Sequence, residues 1–127
     1  MDVTPLVRKG QQIIQSYAGG VFKINGQRYE TPLMVTPDQT QIWDINGKDS
    51  VDSLGVDNFS ALISIAADVD VVLLGCGQTM TFLSPDLQKD LRAHGISVDI
   101  MDTGAACRTY NVLMAEGRRV ACLLLPV

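Results

Sequence analysis

The sequence holds a single histidine, His94, and that scarcity removes most metal and general-base chemistry. A structural zinc site needs several His or Cys ligands converging on one point. The three cysteines, Cys76, Cys107 and Cys122, include no CxxC pair. Three thiols cannot all pair within one chain, so free cysteines in a reducing compartment are the simplest account. Neither a metal nor a cofactor is expected. No apolar run approaches the ~18 residues that suggest a membrane span, and the opening MDVTPLVRKGQQ has no apolar centre of the kind a signal peptide carries. The expectation is a soluble cytoplasmic protein without membrane insertion. Lysine and arginine are outnumbered 10 to 14, leaving a net charge of −4. A surface of that sign repels phosphate backbones, so nucleic acid is not an expected partner.

What is present reads as globular, with 46% apolar and 19% charged residues. A length of 127 residues suits a single domain, 1–127. Between residues 11 and 46, turn signals recur at Gly19-Gly20, Asn25-Gly26, Pro37-Asp38 and Asn46-Gly47. Asn-Gly favours the two positive φ values of a type I′ hairpin turn, so residues 21–24 should pair with 27–30. Residues 33–36 and 41–45 form a second expected hairpin. From residue 57 the period changes. Phe59, Leu62, Ile63 and Ala66 mark a helical stripe, with Asp57 or Asn58 as its cap. A buried strand follows at 69–74. Ser84-Pro85-Asp86 opens a helix that stops at Gly95. A strand at 96–101, a helix ending at Gly117 and a last strand at 118–126 complete the pattern. The predicted class is therefore α/β, three-layer: a C-terminal βαβαβ parallel core with N-terminal antiparallel β-hairpins added.

In such a sheet, ligands bind beyond the carboxyl ends of the strands. Two loops lie there. The first holds Gly75, Cys76, Gly77, Gln78 and Thr79; the second holds Asp102, Thr103 and Gly104, with Arg108 one turn into the helix. The first loop is not a dinucleotide fingerprint, because Met80 occupies the third glycine position of GxGxxG, and no Gly-Lys-Ser/Thr marks a phosphate-gripping loop. Cys76, flanked by glycines, is the candidate nucleophile, but His94 falls in the last turn of a helix at the far edge of the sheet. In the second loop Thr103 is the expected N-cap, and the backbone N–H groups behind it could hold an anion with help from Arg108. The plainer reading is that Asp102 and Thr103 cap the helix while the small residues pack on the sheet. The remaining carboxylates offer no acid/base pair; Asp44, Asp49 and Asp52 fall in turns.

The stretch MDTGAACRTYNVLMAEGRRVACLLLP adds a further pointer. Thr109-Tyr110-Asn111, Leu113, Glu116-Gly117-Arg118 and Pro126, with Leu74-Gly75-Cys76-Gly77, Phe82 and Ser84-Pro85 before them, occur in the order of a known pattern. So do the INGQRY hairpin and Trp43. Together they resemble a family of small single-domain proteins that includes a mitochondrial respiratory complex I assembly factor and an adipogenesis-associated domain protein. The resemblance implies a three-layer α/β fold and a role in assembly without established catalysis. With no obvious presequence, the chain looks more like a bacterial or cytosolic member.

Three functions follow as expectations. The first is a non-catalytic protein-interaction or assembly-factor domain, with Met80, Phe82 and Leu83 in the long loop as candidate contacts for an unidentified protein partner if exposed; buried, they are merely loop anchors, which is the plainer reading. The second is a small-molecule or anion-binding domain with its site between the 75–79 and 102–108 loops. The third is an enzyme using Cys76 or Asp102, a reading that the missing catalytic constellation disfavours. The edge strands of the hairpins need protection, which a homodimer would supply.

Overall fold

The computed structural model describes residues 10–48 and 50–127. Residues 1–9, read above for a leader, and Asp49, read as a turn carboxylate, lie outside them. The elements begin with five short strands, β1 (Ile14–Ser16), β2 (Phe22–Ile24), β3 (Gln27–Tyr29), β4 (Leu33–Val35) and β5 (Thr40–Ile42). Then come α1 (Ser60–Ser64), β6 (Val71–Gly75), α2 (Pro85–Ala93), β7 (Val98–Met101), α3 (Thr103–Ala115) and β8 (Val120–Leu124).

Both expected hairpins are present. Asn25 and Gly26 adopt φ values of 49° and 82°, and β2 pairs β3 with Lys23 opposite Arg28. The parallel core is present too, as β6 lies between β7 and β8 and runs parallel to both. The two hairpins part company, however. β4–β5 extends the core through antiparallel pairing of β4 with β8, giving one mixed sheet in the order β5-β4-β8-β6-β7. β1, β2 and β3 form a separate three-stranded sheet.

Alternation along the central strands sorts the core into two faces. Leu33, Val35, Leu73, Cys122 and Leu124 face α3 and the small sheet, where they meet Phe22, Ile24 and Tyr110. Met34, Val72, Leu74, Ala121 and Leu123 face the other way, towards Phe59, Leu62, Leu87 and Leu91 of α1, α2 and the turns around them. Both faces of the sheet are buried, which is why β6 and β8 read as continuous apolar runs. Three layers result, as expected.

The helix predicted from residue 57 is broken into pieces: a 3-10 turn at Val56–Phe59, α1, and another 3-10 turn at Ala66–Asp68. Serine hydroxyls tighten it by bonding back three residues, Ser60 to the Asp57 carbonyl (2.7 Å) and Ser64 to that of Ala61 (2.6 Å). Nor does Asn58 cap it as an N-cap residue. Its Oδ1 accepts the Gly55 N–H (2.9 Å) and the Lys48 ammonium (3.1 Å), and its carbonyl accepts the Trp43 indole N–H (2.6 Å). α2 and α3 follow the sequence closely. Ser84 caps α2 by accepting the Leu87 N–H, and Gly95 and Gly117 end the two helices at φ 80° and 81°.

α3 also carries the small sheet. The side chain of Asn111 imitates a neighbouring strand: its Oδ1 accepts the Ile14 N–H (3.0 Å) and its Nδ2 donates to the Ile14 carbonyl (2.8 Å). The Tyr110 hydroxyl donates to the Gln12 carbonyl (2.7 Å). Burial pushes the Tyr110 pKa upward, so the hydroxyl keeps its proton and stays a donor. Tyr110 and Asn111 of the Thr-Tyr-Asn motif therefore attach β1 and the residues before it to α3. Asn111→Ala leaves both Ile14 groups unpaired and should cost about 1–3 kcal/mol in chemical denaturation, with faster amide exchange at Ile14; Tyr110→Phe should cost about 1 kcal/mol. Unchanged exchange at Ile14 in the Asn111 variant would contradict this attachment.

Candidate functional site

The two loops singled out by the sequence do meet, and they close on each other. The Thr103 N–H donates to the Gly77 carbonyl (2.9 Å), and the Thr103 hydroxyl accepts the Gly77 N–H (2.9 Å). The same hydroxyl donates to the Leu125 carbonyl (2.7 Å), while the Leu125 N–H donates to Gly75 (3.0 Å). Thr103 has no exposed surface. The Thr103 backbone also sits where a side chain on Gly75 would go: a Cβ there would come within 2.9 Å of the Thr103 Cα. Gly77 has φ 108°, a conformation glycine adopts freely. The two loops are thus bonded directly to each other beyond the strand ends.

Several site expectations are corrected by this arrangement. Thr103 is not the N-cap of α3. Asp102 is, accepting the Ala105 N–H at 2.9 Å, and Thr103 occupies the first helical position with its hydroxyl turned inward. Gly75, Cys76 and Thr103 are buried. Cys76 is a loop anchor. Its thiol donates to the Thr79 carbonyl (3.3 Å), and its sulfur accepts the Thr81 N–H (3.2 Å). His94 is remote, since it ends α2 ahead of β7, which starts at Val98 opposite Val72, whereas Cys76 follows the other end of β6. Leu83, a candidate partner contact, is instead a buried loop anchor, 2% exposed and packed in the core with Leu87. Its neighbours Met80 and Phe82 are exposed, at 48% and 69%.

Outside the closed loops lies a shallow depression of about 300 Å³. Gly77, Gln78, Asp102, Gly104 and Arg108 line it, and Thr79 does not. Tyr17 and Val127 line it too, and neither was singled out from the sequence. Tyr17 is the important one. Its hydroxyl accepts from Arg108 Nη1 at 2.6 Å, and its ring packs against Gly104, where an added Cβ would meet it at 3.1 Å. Tyr17 therefore covers the start of α3 and takes one N–H of the exposed Arg108 guanidinium. The Gly19-Gly20 turn that follows it was the available signal that this segment folds back on itself. A larger depression, about 880 Å³, lies at the opposite end of the sheet, between the Pro37-Asp38 turn and Arg118-Arg119. Arg119 is held there by a two-pronged bond to Asp70 (2.8 and 3.0 Å), which keeps the Asp70 carboxyl below its ordinary pKa.

Among the described residues, no group of three or more His, Cys, Asp or Glu is placed to hold a metal ion, and no helix is long and apolar enough to cross a membrane. Burial pushes the Cys107 thiol up to about 12 and raises that of Cys122 well above its ordinary value, so both are neutral packing groups.

Fold and loops together define a three-layer α/β domain whose mixed central sheet is flanked by a small antiparallel sheet. The sequence profile of a family described as protein of unknown function (DUF498/DUF598) matches residues 14–125, and the chain belongs to that family. It is 35% identical over 114 residues to an uncharacterised protein of Rhodobacter capsulatus, covering 90% of this chain and 84% of that one. It is 29% identical over 126 residues to NADH dehydrogenase [ubiquinone] 1 alpha subcomplex assembly factor 3 of Xenopus tropicalis, covering 98% of this chain and 67% of the relative. Across the relatives carrying that name from frog to Drosophila melanogaster, the chain spans 67% to 58% of their length. A crystal structure of a Bordetella parapertussis protein superposes with a TM-score of 0.81 at 32% identity, covering 94% of this chain and 98% of that one.

Thr103→Val keeps the shape but leaves the Gly77 N–H and the Leu125 carbonyl unpaired; it should cost about 2–4 kcal/mol in denaturant midpoint analysis. A cost near zero would mean that the loops are held together by something else. Alkaline titration offers a second check. An unfolded Cys107 thiol ionises near its ordinary 9.0, whereas the folded one resists to about 12. Stability should fall as pH rises from about 9 towards 12, and Cys107→Ala should flatten that slope.

Proposed function

We propose that this chain is a non-catalytic protein-interaction domain that assists the assembly of a respiratory NADH dehydrogenase. The observation that carries the reading is its similarity, along 98% of its length, to a protein named as an assembly factor for that complex. Two features of the fold favour it over the alternatives. The loops in which a small molecule would sit are bonded to each other through Thr103, which speaks against a ligand held between the 75–79 and 102–108 loops. Cys76, the candidate nucleophile, spends its thiol on the backbone of its own loop, which speaks against an enzyme built on it. What the domain offers outward is apolar surface at Met80 and Phe82. We take the site of action to be the cytoplasmic side of the membrane that holds the complex, with the domain binding assembling subunits before they are complete.

The test is affinity purification of the tagged chain from its own cells at native expression, followed by mass spectrometry. Subunits of NADH dehydrogenase, or proteins acting in its assembly, should co-purify above an untagged control, and deletion of the gene should lower the amount of mature complex. Normal levels of the complex in the deletion strain, with no such subunits recovered, would overturn the proposal.

A further inference from the structure

The tripeptide Ile-Asn-Gly occurs twice, as Ile24-Asn25-Gly26 and as Ile45-Asn46-Gly47, and the fold treats the two copies differently. Both adopt the same kind of turn: Asn25 and Gly26 have φ values of 49° and 82°, Asn46 and Gly47 of 55° and 76°. Asparagine followed by glycine is chemically fragile. Without a Cβ on the second residue, its peptide nitrogen is open to approach the asparagine side chain.

In the first copy both reacting groups are held. Asn25 Oδ1 accepts the Ile13 N–H (2.8 Å), and its Nδ2 donates to the Gln11 carbonyl (2.8 Å). The Gly26 N–H donates to Gln15 Oε1 (2.7 Å), and the turn joins the paired strands β2 and β3. In the second copy neither group is held. Among the described residues, the Asn46 side-chain amide and the Gly47 N–H make no hydrogen bond, and both residues are exposed. The Asn46 N–H donates to Asp44 Oδ1 (2.9 Å), and a single backbone bond closes the turn, from the Lys48 N–H to the Ile45 carbonyl (3.1 Å). No strand pair is joined by it.

We propose that Asn46 is a site of spontaneous covalent modification in the native protein, converted to aspartate and isoaspartate with water as the co-reactant, while Asn25 is protected by its hydrogen bonds. The Gly47 nitrogen loses its proton to solvent base and attacks Asn46 Cγ. A new C–N bond closes a five-membered succinimide; the Cγ–Nδ2 bond breaks, and the departing nitrogen takes up a proton and leaves as ammonia. Water then opens the ring. Cleavage at Cγ gives aspartate, and cleavage at the main-chain carbonyl gives isoaspartate, with the chain rerouted through the former side chain. No oxidant or reductant is needed. For the ring to close, residue 46 must swing out of the turn, which gives up the Lys48–Ile45 bond. The same swing at residue 25 disrupts the β2–β3 hairpin turn and the three bonds to Ile13, Gln11 and Gln15. Either product adds a carboxylate close to Asp44 in a chain of net charge −4. Isoaspartate also lengthens the main chain by one carbon between Ile45, which packs in the core, and Lys48, whose ammonium donates to Asn58 Oδ1 (3.1 Å). This chemistry is independent of the assembly role.

Trypsin separates the two sites, because cleavage after Lys23, Arg28 and Lys48 leaves Asn25 in the peptide 24–28 and Asn46 in 29–48. The folded protein is held in mildly alkaline buffer well below its Tm, and the amide-to-acid mass change in each peptide is followed with time, isoaspartate being identified by enzymatic methylation. Asn46 should convert at least about tenfold faster than Asn25. In denaturant the ratio should collapse towards one, since the flanking residues are the same. Gln15→Ala, which frees the Gly26 N–H, should speed conversion of Asn25 and leave Asn46 unchanged. If that variant unfolds, the comparison of native and denatured wild type decides alone. Equal rates in the folded protein, faster conversion at Asn25, a ratio that persists in denaturant, or an Asn46 that stays intact in the folded protein while the denatured chain converts would each overturn the proposal.

Discussion

The arrangement of the whole domain depends on one buried hydroxyl. Thr103 Oγ1 accepts from Gly77 and donates to Leu125, joining the end of β6, the start of α3 and the end of β8 at a single atom. A buried hydroxyl without partners would cost several kcal/mol; here both its donor and its acceptor capacity are used. The consequence is geometric. With α3 fixed at its first residue, Tyr110 and Asn111 fall about two turns away, in position to hold the β1 segment. The small sheet is thereby attached over the same face of the central sheet.

The same atom decides what the carboxyl end of the sheet can do. In many α/β folds the crevice between diverging loops is left open for a ligand. Here the crevice is used for cohesion: Gly75 lets the Thr103 backbone come close, and Gly77 supplies both its N–H and its carbonyl to Thr103. Tyr17 then covers the start of α3. An assembly role, as named for the relatives, fits a domain whose interior is fully committed to its own packing.

Much of this was legible in the sequence because local signals agreed with the fold. Asn25-Gly26, Ser84-Pro85, Gly95 and Gly117 each have one favoured backbone use, and each is used that way. The alternating and continuous apolar runs located both hairpins and the three parallel strands, but not β1 or its separate sheet with β2 and β3. The failures are those of long-range geometry. Nothing local distinguishes Asp102 from Thr103 as the cap, because both residue types serve; only the approach of Gly77 and Leu125 turns the Thr103 hydroxyl inward. Tyr17 could not be placed at the start of α3, since its contact with Arg108, 91 positions away, is a tertiary fact. Leu83 and Phe82 are adjacent, and that the first is buried and the second exposed depends on a loop path that the local sequence does not fix. Ile42 followed by Trp43 was a clue of another kind. Neighbours on a strand point to opposite faces, and at an edge strand one of the two faces is open.

Amide hydrogen exchange at Gly77 and Thr103 tests the central claim, that the strand-end crevice is closed as part of the folded core. If it is, both amides exchange only with global unfolding, as slowly as Leu123 in the centre of the sheet, and no metabolite changes their rates. Exchange orders of magnitude faster than Leu123 would mean that the loops part in the native state, and the crevice would return as a ligand site.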